Sequence, residues 1–243
     1  MFKYANTSYI HMPQKITIKK DGSYIVSGSV LLSKEIISCD DDRHPVKYVL
    51  GDKYPVQETY ALCRCGYSKG KPFCDGTHIK KTFNGTEIAS REKYIKEAKK
   101  IEGPNLILYD QESLCSSMRF CHSIEGSVWD NTRNSDNPSS KKKAIEQACN
   151  CAAGRLVACD KKTGKPIEPN LKPAISLLED PDNHVSGPIW VKGGIEIESS
   201  DGTKLEKRNR VTLCRCGRSE NKPFCDTLHI AAKFSDGDES IDE

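Results

Sequence analysis

Hydrophobic and polar positions alternate over short stretches of the chain. Lys15-Ile-Thr-Ile-Lys19 switches residue by residue, Gly22 breaks it, Tyr24 to Leu32 is rich in β-branched and aromatic side chains, and Gln57 to Leu62 returns to that character. The outline recurs late in the chain, with Ile189 to Val191, Gly194 to Glu198, a turn at Asp201-Gly202, and Arg210 to Leu213. The pattern predicts two lobes of short antiparallel strands. Between them the character changes. Ser90 to Ile101 is helix-compatible and is stopped by Gly103-Pro104, while residues 131–140 (NTRNSDNPSS) read as a polar loop. Ser139 or Ser140 is placed to cap a helix from Lys141 to Ala148. The last eight residues, DGDESIDE, read as a frayed acidic tail.

The expected class is therefore α+β and β-rich. Its predicted regions are a first β lobe over 1–90, a helical linker and cysteine module over 91–165, a second β lobe over 166–235, and the tail over 236–243. Composition narrows the functions open to it. No apolar run approaches the roughly 18 residues of a membrane-spanning helix, and 37 basic against 34 acidic residues give a net charge of only +3. The first leaves no membrane partner to expect, and the charge balance leaves no strong nucleic-acid footprint. With no glycine-rich nucleotide fingerprint and no nucleophile elbow, no substrate site is assigned and the expected role is not enzymatic. The lack of a secretory apolar segment predicts a cytoplasmic, reducing setting.

Twelve cysteines change the picture. Three pairs are C-x-C: Cys63 and Cys65, Cys149 and Cys151, and Cys214 and Cys216. In a reducing compartment such neighbouring thiols point to metal binding. Two of the pairs open a repeat, since residues 63–78 (CRCGYSKGKPFCDGTH) and 214–229 (CRCGRSENKPFCDTLH) are identical at 11 of 16 positions. Each has the spacing C-x-C-x8-C-x3-H. If Asp75 or Asp226 caps a short helix, the last cysteine and the histidine share one helical face. Three thiolates and one imidazole then converge once per lobe. That donor set suits zinc or an iron-sulfur cluster, and spacing alone leaves both open.

The first copy, Cys63, Cys65 and Cys74-Asp75-Gly76-Thr77-His78 with Ser68 and Lys71-Pro72-Phe73 between, resembles the CDGSH motif of the NEET iron-sulfur proteins. The resemblance implies one [2Fe-2S] cluster on Cys63, Cys65, Cys74 and His78, and another on Cys214, Cys216, Cys225 and His229. A zinc-stapled interaction module becomes the alternative. The second copy departs from the family in Thr227-Leu228, where glycine and a small residue are usual. Family members with one motif pair as homodimers, so two motifs in one chain predict a monomer with internal pseudo-two-fold symmetry. Arg64, Arg215, Lys71 and Lys222 either offset cluster charge or are plain solvated loop charges.

In the middle region, Cys115-SSMRF-Cys121 followed by Cys151-Ala-Ala-Gly-Arg-Leu156 resembles a divergent single-cluster ferredoxin, with Ala152 in place of the family's proline. This resemblance implies a third cluster, [3Fe-4S] or [4Fe-4S], on Cys115, Cys121 and Cys151 with Cys149 as fourth ligand. Buried apolar cysteines are the competing reading. His122 is a minor ligand candidate, Cys39 and Cys159 are read as inert thiols, and His11, His44 and His184 are given no role. The function expected from the whole is electron transfer or cluster storage and transfer, with redox or cluster-acceptor proteins as partners. The ligating histidines are its acid-sensitive members, because imidazole protonation competes with metal near neutral pH.

Overall fold

The computed structural model describes residues 12–241, so His11 and the last two tail residues lie outside the described residues. The first part of the chain supplies β1 (Lys15–Ile18), β2 (Tyr24–Ser27), β3 (Leu31–Cys39), β4 (Pro45–Lys53), β5 (Thr59–Leu62) and the one-turn helix α1 (Thr77–Lys80). A linker turn, α2 (Tyr94–Glu97), leads to β6 (Lys99–Glu102), β7 (Leu106–Asp110), β8 (His122–Ser123), β9 (Gly126–Ser127), α3 (Val128–Arg133), α4 (Pro138–Cys149), β10 (Leu156–Asp160) and β11 (Pro166–Ile167). The last part gives β12 (Ala174–Asp180), β13 (Val185–Lys192), β14 (Glu196–Glu198), β15 (Arg210–Leu213) and α5 (Leu228–Ala231).

Two sheets, ordered β14-β1-β2-β5 and β15-β13-β12-β3-β4, carry the repeat. In each half, two antiparallel strands and a later third strand run into a C-x-C loop: β1, β2 and β5 in the first, β12, β13 and β15 in the second. The strand that follows the hairpin crosses to the other half. β3 pairs in parallel with β12, and β14 pairs in parallel with β1. The predicted pair of separate antiparallel lobes is thus corrected to two sheets that exchange a strand. The cause lies in the residues after each hairpin. Gly28 and Ser29 (φ 86° and 53°) and Gly193 and Gly194 (φ 71° and 68°) are left-handed pairs. The amides of the first pair both donate to Glu58 O, and those of the second to Asn209 O. Each pair redirects the chain away from its own sheet.

Alternation places the core. Ile16 and Ile18 of β1, Tyr24 and Val26 of β2, Ile175 and Leu177 of β12, and Ile189 and Val191 of β13 fill one shared apolar layer. The middle region builds its own antiparallel sheet, β11-β10-β7-β6, and packs α3 and α4 against it through Leu108, Val128, Ala148 and Leu156. Tyr48, Phe120 and Trp190 join it to the second sheet, the Tyr48 ring centroid lying 4.4 Å from Phe120 and 4.7 Å from Trp190.

Three local expectations are overturned. Only Tyr94–Glu97 of the helix-compatible stretch is helical. Residues 99–102 instead form β6, because pairing with β7 outweighs a weak helical propensity. Asn137 rather than a serine caps α4, its Oδ1 accepting from Ser139 N at 2.8 Å with Pro138 behind it. The loop predicted over 131–140 is shortened by α3. The tail is not frayed over 236–241: Ile241 is buried, Asp238 pairs with Lys34, and Asp236 pairs with Arg215.

Candidate metal centres

Each C-x-C loop turns back on its own strand. Cys63 N donates to Pro72 O (2.8 Å) and Cys74 N to Ala61 O (2.9 Å), and the second loop repeats this with Cys214 N to Pro223 O (2.9 Å) and Cys225 N to Thr212 O (3.0 Å). A serine braces each interior, Ser68 Oγ donating to Phe73 O and Ser219 Oγ to Phe224 O. The aspartates are staples rather than the predicted N-caps. Asp75 accepts from Lys69 N and Thr77 N, and Asp226 from Glu220 N and Leu228 N, tying loop to helix. The backbone donors hold the Asp75 carboxyl well below its usual range. The caps themselves are Gly76 (φ 82°) and Thr227 (φ 80°).

The predicted ligands gather as pairs. Cys63 Sγ and Cys65 Sγ are 3.7 Å apart, and Cys74 Sγ and His78 Nδ1 are 3.4 Å apart. The second motif gives 3.8 Å for Cys214 and Cys216 and 3.4 Å for Cys225 and His229 Nδ1. Among the described residues, no three ligand atoms of either motif lie within 4.8 Å of one another. Burial pushes the Cys65 thiol up to about 11 and the Cys225 thiol higher still. Cys216 is also raised, first by its Cys214 partner and then by burial. Three buried thiolates per motif need a cationic centre to offset their charge, which a metal group supplies. Backbone donors already point at sulfur, with Tyr67 N 3.4 Å from Cys65 Sγ and Arg218 N 3.5 Å from Cys216 Sγ.

The two sites meet back to back. A Cβ at Gly66 (φ 79°) would lie 2.4 Å from Cys216 O, and one at Gly217 (φ 77°) 2.3 Å from Cys65 O, so only glycine admits this approach.

The repeated spacing and this geometry accord with the family comparisons. The family described as "Iron-binding zinc finger CDGSH type" matches residues 21–79 and again 186–230, and "Divergent 4Fe-4S mono-cluster" matches residues 101–161 between them. The chain thus carries two CDGSH-type iron-binding regions in tandem, with a divergent 4Fe-4S region between them. Among curated proteins, "CDGSH iron-sulfur domain-containing protein 3, mitochondrial" of Mus musculus is 42% identical over 43 residues. That match covers 15% of this chain and 31% of the mouse protein, so the chain spans about a third of the relative's length. No solved structure matches. Among the described residues of this tandem CDGSH protein, no helix is long and apolar enough to cross a membrane.

The two motifs of the tandem protein differ around a common centre. Arg64 and Arg215 are 1% and 2% exposed, which removes the solvated-loop reading. Arg64 donates to Lys19 O and Gly85 O and lies over the Tyr24 and Phe83 rings, with no carboxylate within 4.0 Å among the described residues. Arg215 instead donates to Glu179 Oε1 (2.8 Å) and pairs with Asp236. His229 and Cys225 are buried where His78 and Cys74 are half-buried. Burial, followed by the Arg215 charge, lowers the His229 pKa to about 4. Sequence reasoning passed over Glu179 and Asp236, and nothing local marks them.

In the middle module, Cys115, Cys121 and Cys151 line one cavity of about 240 Å³ with Met118, Trp129 and Arg155. Burial, then the charges of Cys151 and Cys115, pushes Cys121 up to about 12. Arg155 is clamped by both oxygens of Asp110 (2.6 and 3.0 Å), and Asp110 also accepts from Trp129 Nε1 (3.0 Å). The clamp sets a cation against Cys115. Cys149, expected as the fourth ligand, is elsewhere. It ends α4 with its Sγ 3.6 Å from Ile167 O, because residues two apart at a helix end project to different sides. His122 is at the cavity wall, its Nδ1 3.3 Å from Cys121 Sγ. Cys39 lies beside Arg119 and Cys159 is buried in β10, both outside this cavity.

Proposed function

We propose that this protein is an iron-sulfur carrier that exchanges electrons or whole clusters with partner proteins. Each CDGSH motif holds one [2Fe-2S] group, through Cys63, Cys65, Cys74 and His78 in the first and Cys214, Cys216, Cys225 and His229 in the second. The observation that carries this reading is the division of each ligand set into a Cys–Cys pair and a Cys–His pair. A single tetrahedral zinc at about 2.3 Å from sulfur needs all its ligand atoms within roughly 4 Å of one another. A two-metal group would take one pair per metal, and each motif offers two such pairs.

When bound, such a group takes up and releases one electron, and a neutral imidazole in place of a thiolate raises its potential relative to an all-cysteine site. The protein's own part is to bury the thiols and aim the Tyr67 and Arg218 amides at sulfur, with the buried Arg64 and Arg215 between the two cysteines of each C-x-C. Cys115, Cys121 and Cys151 hold a third, [3Fe-4S] or [4Fe-4S] group, with Cys149 left out. The strand exchange between halves supports a monomer, to be checked by sedimentation.

The test is a visible spectrum with iron, sulfide and zinc quantitation on anaerobically purified protein. Red-brown protein with about four irons supports the two CDGSH groups, and about seven or eight adds the middle one. Colourless protein with stoichiometric zinc overturns the reading.

A further inference from the structure

The middle module and its linker cover one CDGSH loop and leave the other bare. Over the second loop, Ile88 N and Ala89 N donate to Lys222 O (2.9 and 3.0 Å), and Asn221 Nδ2 donates to Ser113 O (2.7 Å). The position equivalent to Asn221 is Gly70, where an added Cβ meets nothing within 4 Å among the described residues, and the same holds at Gly76.

The bare loop is also differently charged. Lys69, Lys80 and Lys81 stand where the second copy has Glu220, Ala231 and Ala232. Across the pseudo-axis, Arg218 reaches the same face, its guanidinium 6.0 Å from the Tyr67 ring centroid, while Lys81 Nζ is 5.6 Å from that centroid. Tyr67 is 40% exposed and Ile79 75% exposed. Among the described residues, none of these four cations has a carboxylate within 4.0 Å. Asp75 also lies here, but its oxygens are taken by Lys69 N and Thr77 N.

We propose that this face, centred on Tyr67 and Ile79 and ringed by Lys69, Lys80, Lys81 and Arg218, docks an acidic partner protein. The inference rests on the carrier function proposed above, since the face surrounds the half-buried Cys74 and His78. An exposed tyrosine next to an arginine is the pairing enriched at interface anchors, and the three lysines around it act as a charged rim that steers and selects the partner. Four unpaired cations lose hydration on docking and select a surface that returns negative charge. A membrane surface fits less well, because the residues sit on a loop and a single helical turn rather than on a long amphipathic helix. Nucleic acid fits less well too, because the face offers no stripe of charge to track a backbone.

The experiment titrates the iron-loaded protein with a labelled, acidic plant-type ferredoxin at low and at moderate salt. Binding is expected to weaken about tenfold or more as salt rises. Lys69→Glu/Lys80→Glu/Lys81→Glu should weaken it at least about tenfold at low salt, with iron content and visible spectrum unchanged. The same charge change on the middle module, Lys142→Glu/Lys162→Glu/Lys165→Glu, should change affinity by no more than about twofold. The proposal is overturned if both triple variants lose binding alike, if the ferredoxin does not bind, or if anionic phosphatidylserine vesicles or single-stranded DNA bind instead. Failure of the carrier reading is separate, because it shows as missing iron in the unmodified protein.

Discussion

The two CDGSH motifs share 11 of 16 residues, the same loop hydrogen bonds and the same ligand spacings, yet sit in different electrical and solvent surroundings. The first has a buried arginine that donates to two backbone carbonyls and a half-buried histidine. The second has an arginine locked to Glu179 and Asp236, a buried histidine, and a roof made by the linker and middle module. Duplicated local sequence therefore fixes ligand geometry, while distant residues set how each site meets charge and water. The difference begins in strands exchanged between halves and ends in unequal access to two like centres.

The arginines offer the largest test of this contrast. Arg215→Met leaves the fully buried Glu179 without its cation, and burial already pushes that carboxyl up. The expected loss is about 3–5 kcal/mol, as for a buried pair broken on one side. Arg64→Met removes hydrogen bonds to Lys19 O and Gly85 O and should cost about 1–3 kcal/mol. Denaturant midpoints of the two loaded variants measure both. Equal losses would break the comparison.

How much of this was legible beforehand depends on the range of the interaction. The repeat, the ligand spacing and most strands near it are local, and Lys15–Ile18 and Arg210–Leu213 lie where alternation puts them. Strand exchange was not legible, because the β3–β12 and β1–β14 pairings join residues more than a hundred positions apart and leave no local pattern. The burial of Arg64 and Arg215 was hidden for the same reason: a charged residue in a polar loop reads as solvated until the opposing strands are placed. Cys149 misled because C-x-C invites a shared site, and the helix that ends on it was expected to stop at Ala148.

Acid sharpens the contrast in access. An imidazole must be neutral to hold metal, so protonation competes with it. Burial and the Arg215 charge hold His229 neutral down to about pH 4, well below the ordinary histidine range near 6.5, and the folded second site keeps its metal-binding form as pH falls through that window. His78 is only half-buried. Visible absorbance at mildly acidic pH is therefore expected to decay in two phases, the first motif emptying before the second. His78→Cys should slow the early phase about tenfold or more and leave the late one, while His229→Cys should act only on the late phase. A single phase, unchanged in both variants, would remove histidine as the labile ligand.

The smallest expected effect isolates backbone strain. Thr227 adopts φ 80° and ψ −15°, nearly the conformation of Gly76 at φ 82° and ψ −1°. Threonine is β-branched and strained there, at about 1–2 kcal/mol, whereas glycine's freedom in the unfolded chain costs about 0.5–1 kcal/mol. Thr227→Gly should then stabilise the second half by up to about 1 kcal/mol. The reverse change, Gly76→Thr, should destabilise by a similar amount. Among the described residues nothing lies within 4 Å of an added Cβ at Gly76, so the loss there comes from the backbone conformation and not from a clash with a neighbour. Mirror-image shifts in denaturant midpoint would show that the two caps are one structural position filled by two residues. A loss from Thr227→Gly would instead mean that the threonine side chain makes contacts in the roofed second site that outweigh its strain.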